Sequence, residues 1–384
     1  MKPRYEVADI IASYGKQFLQ AYPQRIQALK TLNSIRICRT SALGGHKSQC
    51  TCCGHERYSF NSCRNRHCPK CQTVNREKWI WYRENELLPV PYYHIVFTLP
   101  DHLNQMAIDN AKEVYDSLFT SAWDTLKTFF ADPKHLGAKS GMTAVLHTWG
   151  QTLNLHPHLH CIVPAGGITA SAKWKTSKSN GKYLFPQKAL AKVFRAKFMS
   201  AIRSKDINVK QDIARLLFKT DWIVYAKQPF YGPKQIVEYL GRYTHKVAIS
   251  NHRLVNIDNG KVTFSYKDYR HNSLAKQMSL SASEFLRRFC LHILPHGYIR
   301  IRHYGILASR NKSTDLNIAR EFFEVAQWTK PLKTEWKEVA TQRMGFIPDQ
   351  CPVCKEGVMI VVEVIPRGPP QLYFSKIQYI TACA

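Results

Sequence analysis

The run His156-Pro157-His158-Leu159-His160 leads into the apolar residues Cys161-Ile162-Val163. In an extended strand alternate side chains share a face, so His158 and His160 point one way and Leu159 the other. By strand rise the two histidines lie about 7 Å apart along the chain, and together they can hold one divalent cation. With two imidazoles and no thiolate, oxygen ligands and water must complete the shell. That suits Mg²⁺ or Mn²⁺ acting on a phosphate better than a hydrolytic zinc, which usually takes three tight protein ligands. His156 or Gln151 could supply a third ligand, and Asn154, Gln235 and Glu238 are further candidates. Pro157 interrupts strand pairing between His156 and the other two histidines.

A second constellation lies in Glu238-Tyr239-Leu240-Gly241-Arg242-Tyr243-Thr244-His245-Lys246. Tyr239 and Tyr243 stand four apart and share one face if the segment is helical. Two aromatics at that spacing most often pack into a core. The alternative is chemical: a phenol can attack a phosphodiester and hold the product covalently. With an ordinary pKa near 10 the phenol needs help, and a cation at His158 and His160 would polarise the phosphate. Arg242 and Lys246 are suitable neighbours for that phosphate. Gly241 costs a helix about 1 kcal/mol relative to Ala, so it marks a close approach.

Seven of the 12 cysteines fall between Cys38 and Cys71. Cys50 and Cys53 form one C-x-x-C pair, and Cys68 and Cys71 form another 14 residues further on. This spacing predicts one tetrahedral four-cysteine zinc site, with the metal standing in for a core that the segment lacks. His46, Cys63 or His67 could replace a ligand or complete a second site, and Cys52 reads as a bystander. Buried reduced thiols and a redox C-x-x-C are weaker alternatives, the latter for want of a βαβ context. Cys351 and Cys354 form a late pair with one distant thiol, Cys383, readable as a truncated zinc ribbon or a remnant.

The 384 residues carry 55 Lys and Arg against 27 Asp and Glu, a formal charge of +28. A small neutral substrate does not require that excess; a polyanion does. Residues 36–83 hold ten basic against two acidic residues, and 234–312 fourteen against four. Arg64, Arg66, Lys70, Arg242, Lys246, Arg300 and Arg302 are the candidate DNA contacts. Nearby aromatics suit base stacking, so a basic groove for single-stranded DNA is expected. No apolar stretch approaches the roughly 18 residues of a membrane span, and no export signal is evident. A cytoplasmic location, with nucleoid association when bound to DNA, and no membrane partner are therefore expected.

These residues need elements to place them. Apolar periodicity predicts two helices within residues 1–37, then a small Cys-rich fold to about 76. An α+β region follows. Strands are expected at 92–99, 142–149, 158–163 and 222–226, and helices at 103–130, 187–203 and 233–244. A hairpin turning at Asp258-Asn259-Gly260, a helix at 283–291 and a strand at 298–303 complete it. Beyond about 310 lie a polar helical stretch, the late cysteine pair and a Pro-rich end.

Three blocks together resemble a known family. They are Ala42-Leu43-Gly44-Gly45-His46 with Ser62-Cys63-Arg64-Asn65-Arg66-His67-Cys68-Pro69-Lys70-Cys71; His147-Thr148-Trp149-Gly150-Gln151 through His160; and Tyr239 to His245. Tyr298-Ile299-Arg300-Ile301-Arg302-His303-Tyr304-Gly305 looks like a fourth. Spanning residues 38–305, they resemble the two-tyrosine HUH rolling-circle insertion-sequence transposases with an N-terminal zinc-binding domain. The resemblance implies that His158-Leu159-His160 is the metal site and that Tyr239 and Tyr243 are the nucleophiles. It implies a central antiparallel sheet with flanking helices, the histidine strand inside it and the tyrosine helix against it. It further implies cutting of one DNA strand at the ends of an element, through a 5′-phosphotyrosine, with release of a 3′-hydroxyl. The expected organisation is a helical and zinc-binding domain (1–90), an HUH catalytic domain (91–305) and a C-terminal helical tail with a C-x-x-C segment (306–384). No P-loop motif is present, so unwinding would fall to host helicase or replication proteins. Two other readings compete: a non-catalytic zinc-dependent DNA-binding protein (a decayed transposase), and a metal-dependent nuclease using water.

Overall fold

The computed structural model describes residues 3–177, 184–230, 233–332 and 334–369. Cys383 and the side chain of Arg242 lie outside what is described. Helices α1 (Val7–Ala21) and α2 (Ile26–Arg36) open the chain. Hairpin β1 (Gly45–Cys50) and β2 (Glu56–Phe60) then leads to α3 (Gln72–Glu84). Next come β3 (Tyr92–Thr98), α4 (Asn104–Asp109), α5 (Ala111–Ala131), β4 (Gly141–Trp149) and β5 (Leu155–Pro164). A small ladder, β6 (Gly166–Ile168) and β7 (Trp174–Thr176), precedes α6 (Gln187–Arg203) and α7 (Gln211–Lys219). The tyrosine segment follows as β8 (Val224–Phe230) and α8 (Pro233–Thr244). A second sheet, β9 (Leu254–Asp258), β10 (Lys261–Asp268) and β11 (Leu274–Ser281), runs into α9 (Ala282–Leu291) and β12 (Ile301–Gly305). The chain continues through α10 (Lys312–Phe322) and α11 (Trp336–Met344) to β13 (Met359–Ile365).

The fold is mixed α+β. Its main sheet has five antiparallel strands in the order β12-β4-β5-β3-β8. Leu159, Cys161 and Val163 of β5, with Phe97 and Leu146 of its neighbours, face one core. There they meet Leu118 and Phe119 of α5 and Phe194 and Phe198 of α6, all buried. The period-two alternation of β5 therefore leaves His158 and His160 on the opposite face. The expected hairpin forms where Asn259 and Gly260 both take positive φ, at 47° and 71°, the requirement of a tight type I′ turn. A third strand, β11, extends it. The single helix expected over 103–130 is instead two. Asn110 leaves the helical region at φ −125° and ψ 52° and separates α4 from α5.

Contacts cross both of the expected domain boundaries. Val7, Ile10, Ile11 and Phe18 of α1 share a core with Phe285, Leu286 and Phe289 of α9. Strand β13 pairs with β1 at the other end of the sequence, giving the sheet β13-β1-β2. The C-terminal region is thus not a helical tail alone. Among the described residues no helix is long and apolar enough to cross a membrane.

Helix α8 lies against α3, and Gly241 is the reason the two can approach closely. A Cβ at that position would come within 2.6 Å of Ile80 Cγ1, and Ile80 is buried. We expect Gly241→Val to destabilise the fold by about 1–3 kcal/mol, the usual cost of overpacking. Ile80→Ala should recover part of that loss in the double variant. Urea unfolding of the four proteins measures the coupling, and strictly additive losses would show that α8 does not seat on Ile80.

Candidate metal centre and tyrosine site

The ladder between β4 and β5 places His147 directly across from His158 and Val145 across from His160. His147, His158 and His160 each offer one ring nitrogen, and the three ligand atoms lie within 4.8 Å of one another. Hydrogen bonds select which nitrogen is offered. His158 Nδ1 donates to the His156 carbonyl at 2.6 Å, and His147 Nε2 donates to the Tyr243 carbonyl at 2.7 Å. A ring N–H held by a carbonyl fixes the tautomer and aims the other nitrogen, as in protein metal sites. Burial holds His158 down to about 4 and pushes His147 and His160 well below the ordinary histidine value. All three are neutral near pH 7, the form that can ligate.

The third candidate ligand is therefore His147, and the residues considered from sequence lie elsewhere. His156 is half-exposed, 3.7 Å from Asp101, and contributes its carbonyl to His158. Gln151 bonds the Lys267 amide and the Tyr269 hydroxyl. Asn154 accepts from Arg288, Glu238 pairs with Arg343, and Gln235 is exposed. His147 escaped notice because its partners sit across a strand pairing rather than at a telling sequence interval.

Tyr239 and Tyr243 reach the same face from α8. The Tyr243 hydroxyl donates to that of Tyr239 at 3.0 Å. The Tyr243 ring centre lies 4.1 Å from that of His160 and 5.6 Å from that of His147. His94, on β3, joins the group: its Nε2 is 2.9 Å from His160 Nδ1, and its Nδ1 is 3.5 Å from the Tyr239 hydroxyl. Desolvation raises the Tyr239 phenol above its ordinary value. Two ammonium groups lie over the phenol rings, Lys227 at 5.4 Å from Tyr239 and Lys246 at 5.8 Å from Tyr243. His94 and Lys227 carry no motif and are found only once β3 and β8 pair.

The cysteines sort differently from the predicted arrangement. Cys50 and Cys53 do not share a site with Cys68 and Cys71. The sulfurs of Cys38, Cys63, Cys68 and Cys71 lie within 4.8 Å of one another, and so do those of Cys50, Cys53, Cys351 and Cys354. The N-terminal hairpin carries the first knuckle away from the second, so each pair finds other partners. His46 sits in β1 outside both groups, and buried His67 also lies apart from them. In the first group Cys71 occupies the N-cap of α3, where a helix dipole favours thiolate charge.

Several expected DNA contacts are engaged inside the protein. Arg66 bonds the carbonyls of Pro295 and Tyr298. Lys70 pairs with Glu6 at 2.7 Å. Arg300 is buried and bonds the Lys246 carbonyl. Arg302 pairs with Asp116 and stacks 4.2 Å from the Phe119 ring. Desolvation among apolar and polar neighbours makes such cations bind carbonyls and carboxylates of their own chain. Arg64 and Lys246 remain exposed.

A family model described as "Putative transposase" matches residues 141–314, and one described as a transposase zinc-binding domain matches residues 10–99. A protein of Sinorhizobium fredii described as "Putative transposase y4qJ" is 41% identical over 392 residues, covering 96% of this chain and 98% of the relative. The transposase for insertion sequence element IS801 of Pseudomonas savastanoi is 30% identical over 348 residues, covering 85% of this chain and 81% of the relative. The chain belongs to the IS91/IS801 family of transposases. No solved structure matches it significantly. As a transposase it is a DNA-processing enzyme, and its zinc-binding domain and cysteine groups support structural zinc.

The buried imidazoles give the transposase a definite pH response. Burial pushes His94 and His158 down to about 4 in the folded chain, from the ordinary 6.5. Between those values the unfolded chain binds protons that the folded chain refuses, so stability is full above about 6.5 and falls as pH drops toward about 4. Urea unfolding at pH 7.5, 6.5 and 5.5 should show this decline, with a smaller decline in His94→Asn. An identical pH response in that variant would mean that His94 is not held neutral by the fold.

Proposed function

We propose that this transposase nicks and rejoins single-stranded DNA through a 5′-phosphotyrosine and so mobilises an insertion sequence by a rolling-circle-type route. The observation that carries the proposal is the pair of tyrosine hydroxyls, 3.0 Å apart, seated beside His147, His158 and His160. Those three neutral imidazoles would hold a divalent cation, Mn²⁺ more readily than oxygen-preferring Mg²⁺. Such a cation supplies positive charge to the scissile phosphate when bound.

The chain's own groups do the rest. Helix α8 presents both phenols on one side, and Lys227 and Lys246 offer phosphate contacts next to them. One phenol oxygen forms a bond to phosphorus, the phosphorus–O3′ bond breaks, and the departing 3′ oxygen takes up a proton. Attack by a 3′-hydroxyl on the phosphotyrosine reverses the transfer and frees the phenol. Two nucleophiles within one hydrogen bond of each other permit two successive transfers in one site. Arg64, the zinc-bearing N-terminal region and the second sheet would guide the strand, with host replication or helicase proteins providing single-stranded substrate. Neither water-based cleavage nor simple binding requires the second phenol to lie against the first.

Labelled single strands from the element's own ends, incubated with Mn²⁺ and run on a denaturing gel, test the proposal. A covalent protein–DNA band is expected, lost in the Tyr239→Phe, Tyr243→Phe double variant. His147→Ala and His158→Ala should each lower its yield on the order of 100-fold. Cleavage that survives the double variant would favour a water nuclease. Binding without any covalent band would favour a non-catalytic DNA-binding protein.

A further inference from the structure

We infer that Cys50, Cys53, Cys351 and Cys354 form a second zinc site, closed between the two ends of the chain, which clasps the C-terminal arm across the tyrosine helix. The matched zinc-binding domain ends at residue 99, so half of this site lies far outside it. Four sulfurs from two C-x-x-C pairs meet within 4.8 Å, with Cys50 and Cys354 at 3.6 Å and Cys53 and Cys351 at 3.7 Å. Four thiolates and no other donor select Zn²⁺ among common divalent ions.

The backbone around the sulfurs is built to the same plan on both sides. Gly54 N–H donates to the Cys50 carbonyl at 3.2 Å, and Lys355 N–H donates to the Cys351 carbonyl at 3.2 Å. Each of those residues takes positive φ, 71° at Gly54 and 64° at Lys355. Amides also aim at sulfur: Cys52 and Cys53 N–H at Cys50 Sγ, and Gly357 N–H at Cys354 Sγ, at 3.4–3.5 Å. Hydrogen bonds of that kind favour thiolate over thiol. Gly357 is required by closeness, because a Cβ there would collide with Cys50 Sγ and come within 2.7 Å of Cys52 Cβ. Two matched turns, converging amides and an obligatory glycine at the seam are features of a ligand site rather than of chance thiol contact.

The clasp has a mechanical consequence. Cys53 and Cys351 are 298 residues apart, and the β13–β1 ladder begins directly beside them. Eight residues before Cys351 stands Arg343 on α11. Its guanidinium reaches Glu77 at 3.1 Å and Glu84 at 2.9 Å on α3, and Glu238 on α8, the neighbour of Tyr239. Zinc at the second site keeps α11 close enough to bridge the two helices that set the tyrosines.

Zinc per chain, measured by plasma mass spectrometry on full-length protein purified under reducing conditions, with His158→Ala in every protein including the one called wild type so that the histidine cluster holds none, tests the inference. Wild type should hold two zinc ions, Cys351→Ser/Cys354→Ser one, and Cys52→Ser two. Gly357→Val should fall below two without removing any sulfur, which separates blocked closure from lost ligands. Limited proteolysis should cut residues 345–369 at least about tenfold faster in the double-serine variant. One zinc in wild type, two in the double-serine variant, or equal proteolysis would overturn the inference.

Discussion

The register of β5 against β4 and β3 is the constraint on which the rest depends. A slip of one residue would turn His158 and His160 into the helical core and bring Leu159 to the tyrosines. What prevents it is apolar burial on the other face, where Leu159, Cys161 and Val163 are fully enclosed against α5 and α6. The same register sets His147 across from His158 and brings His94 beside His160. Ordinary hydrophobic packing thus preassembles four imidazoles. Removing charged imidazoles from water would cost far more than removing neutral ones, and the fold keeps them neutral and hydrogen-bonded. A preformed neutral cluster pays no further reorganisation when a cation or a phosphate arrives.

The tyrosine helix is fixed from behind rather than through the face that carries its phenols. Ile80 of α3 fills the notch at Gly241, and α3 itself begins at Cys71, one of the four thiols of the first group. A metal bound there would therefore act on the tyrosines through one helix: it sets the start of α3, and α3 seats α8. Arg343 ties the same two helices from the C-terminal side. The position of the cysteine-rich region makes it part of the scaffold of the site, and α1 packs on α9 rather than forming a separate body.

Much of this was legible in the sequence where the signal is local. The shared face of His158 and His160, the helix bearing Tyr239 and Tyr243, the Asn259-Gly260 turn and the mixed α+β class all follow from periods of two or about four and from turn chemistry. What was not legible is what tertiary pairing decides. His147 and His94 are single histidines in apolar strands, and nothing in their spacing announces a ligand or a partner. The cysteine grouping failed for a related reason. Two C-x-x-C pairs at a plausible interval satisfy the same rule whether they close on each other or on distant thiols. Only the ladder of β1 with β13 shows that Cys50 and Cys53 meet Cys351 and Cys354. Helix breaking at Asn110 is a smaller case, where one residue able to leave the helix overrides an otherwise continuous apolar stripe.

The arginines make the same point about charge. A net +28 invites the reading that each cation near the site contacts DNA. Yet Arg66 and Arg300, both in sequence blocks that suggested DNA contact, bond backbone carbonyls. Arg66 holds Pro295 and Tyr298, and Arg300 holds the carbonyl of Lys246. Arg300 remains protonated near neutrality even though burial pushes it down to about 10. Buried Arg300 braces the loop that leaves α8, and with it Lys246 beside the Tyr243 ring, while Arg66 braces the segment between α9 and β12. Guanidinium groups, with five donors in a rigid fork, suit that internal bracing, while a mobile lysine suits contact with a moving phosphate. In the proposed reaction Arg300 acts on DNA indirectly, by deciding where Lys246 can stand.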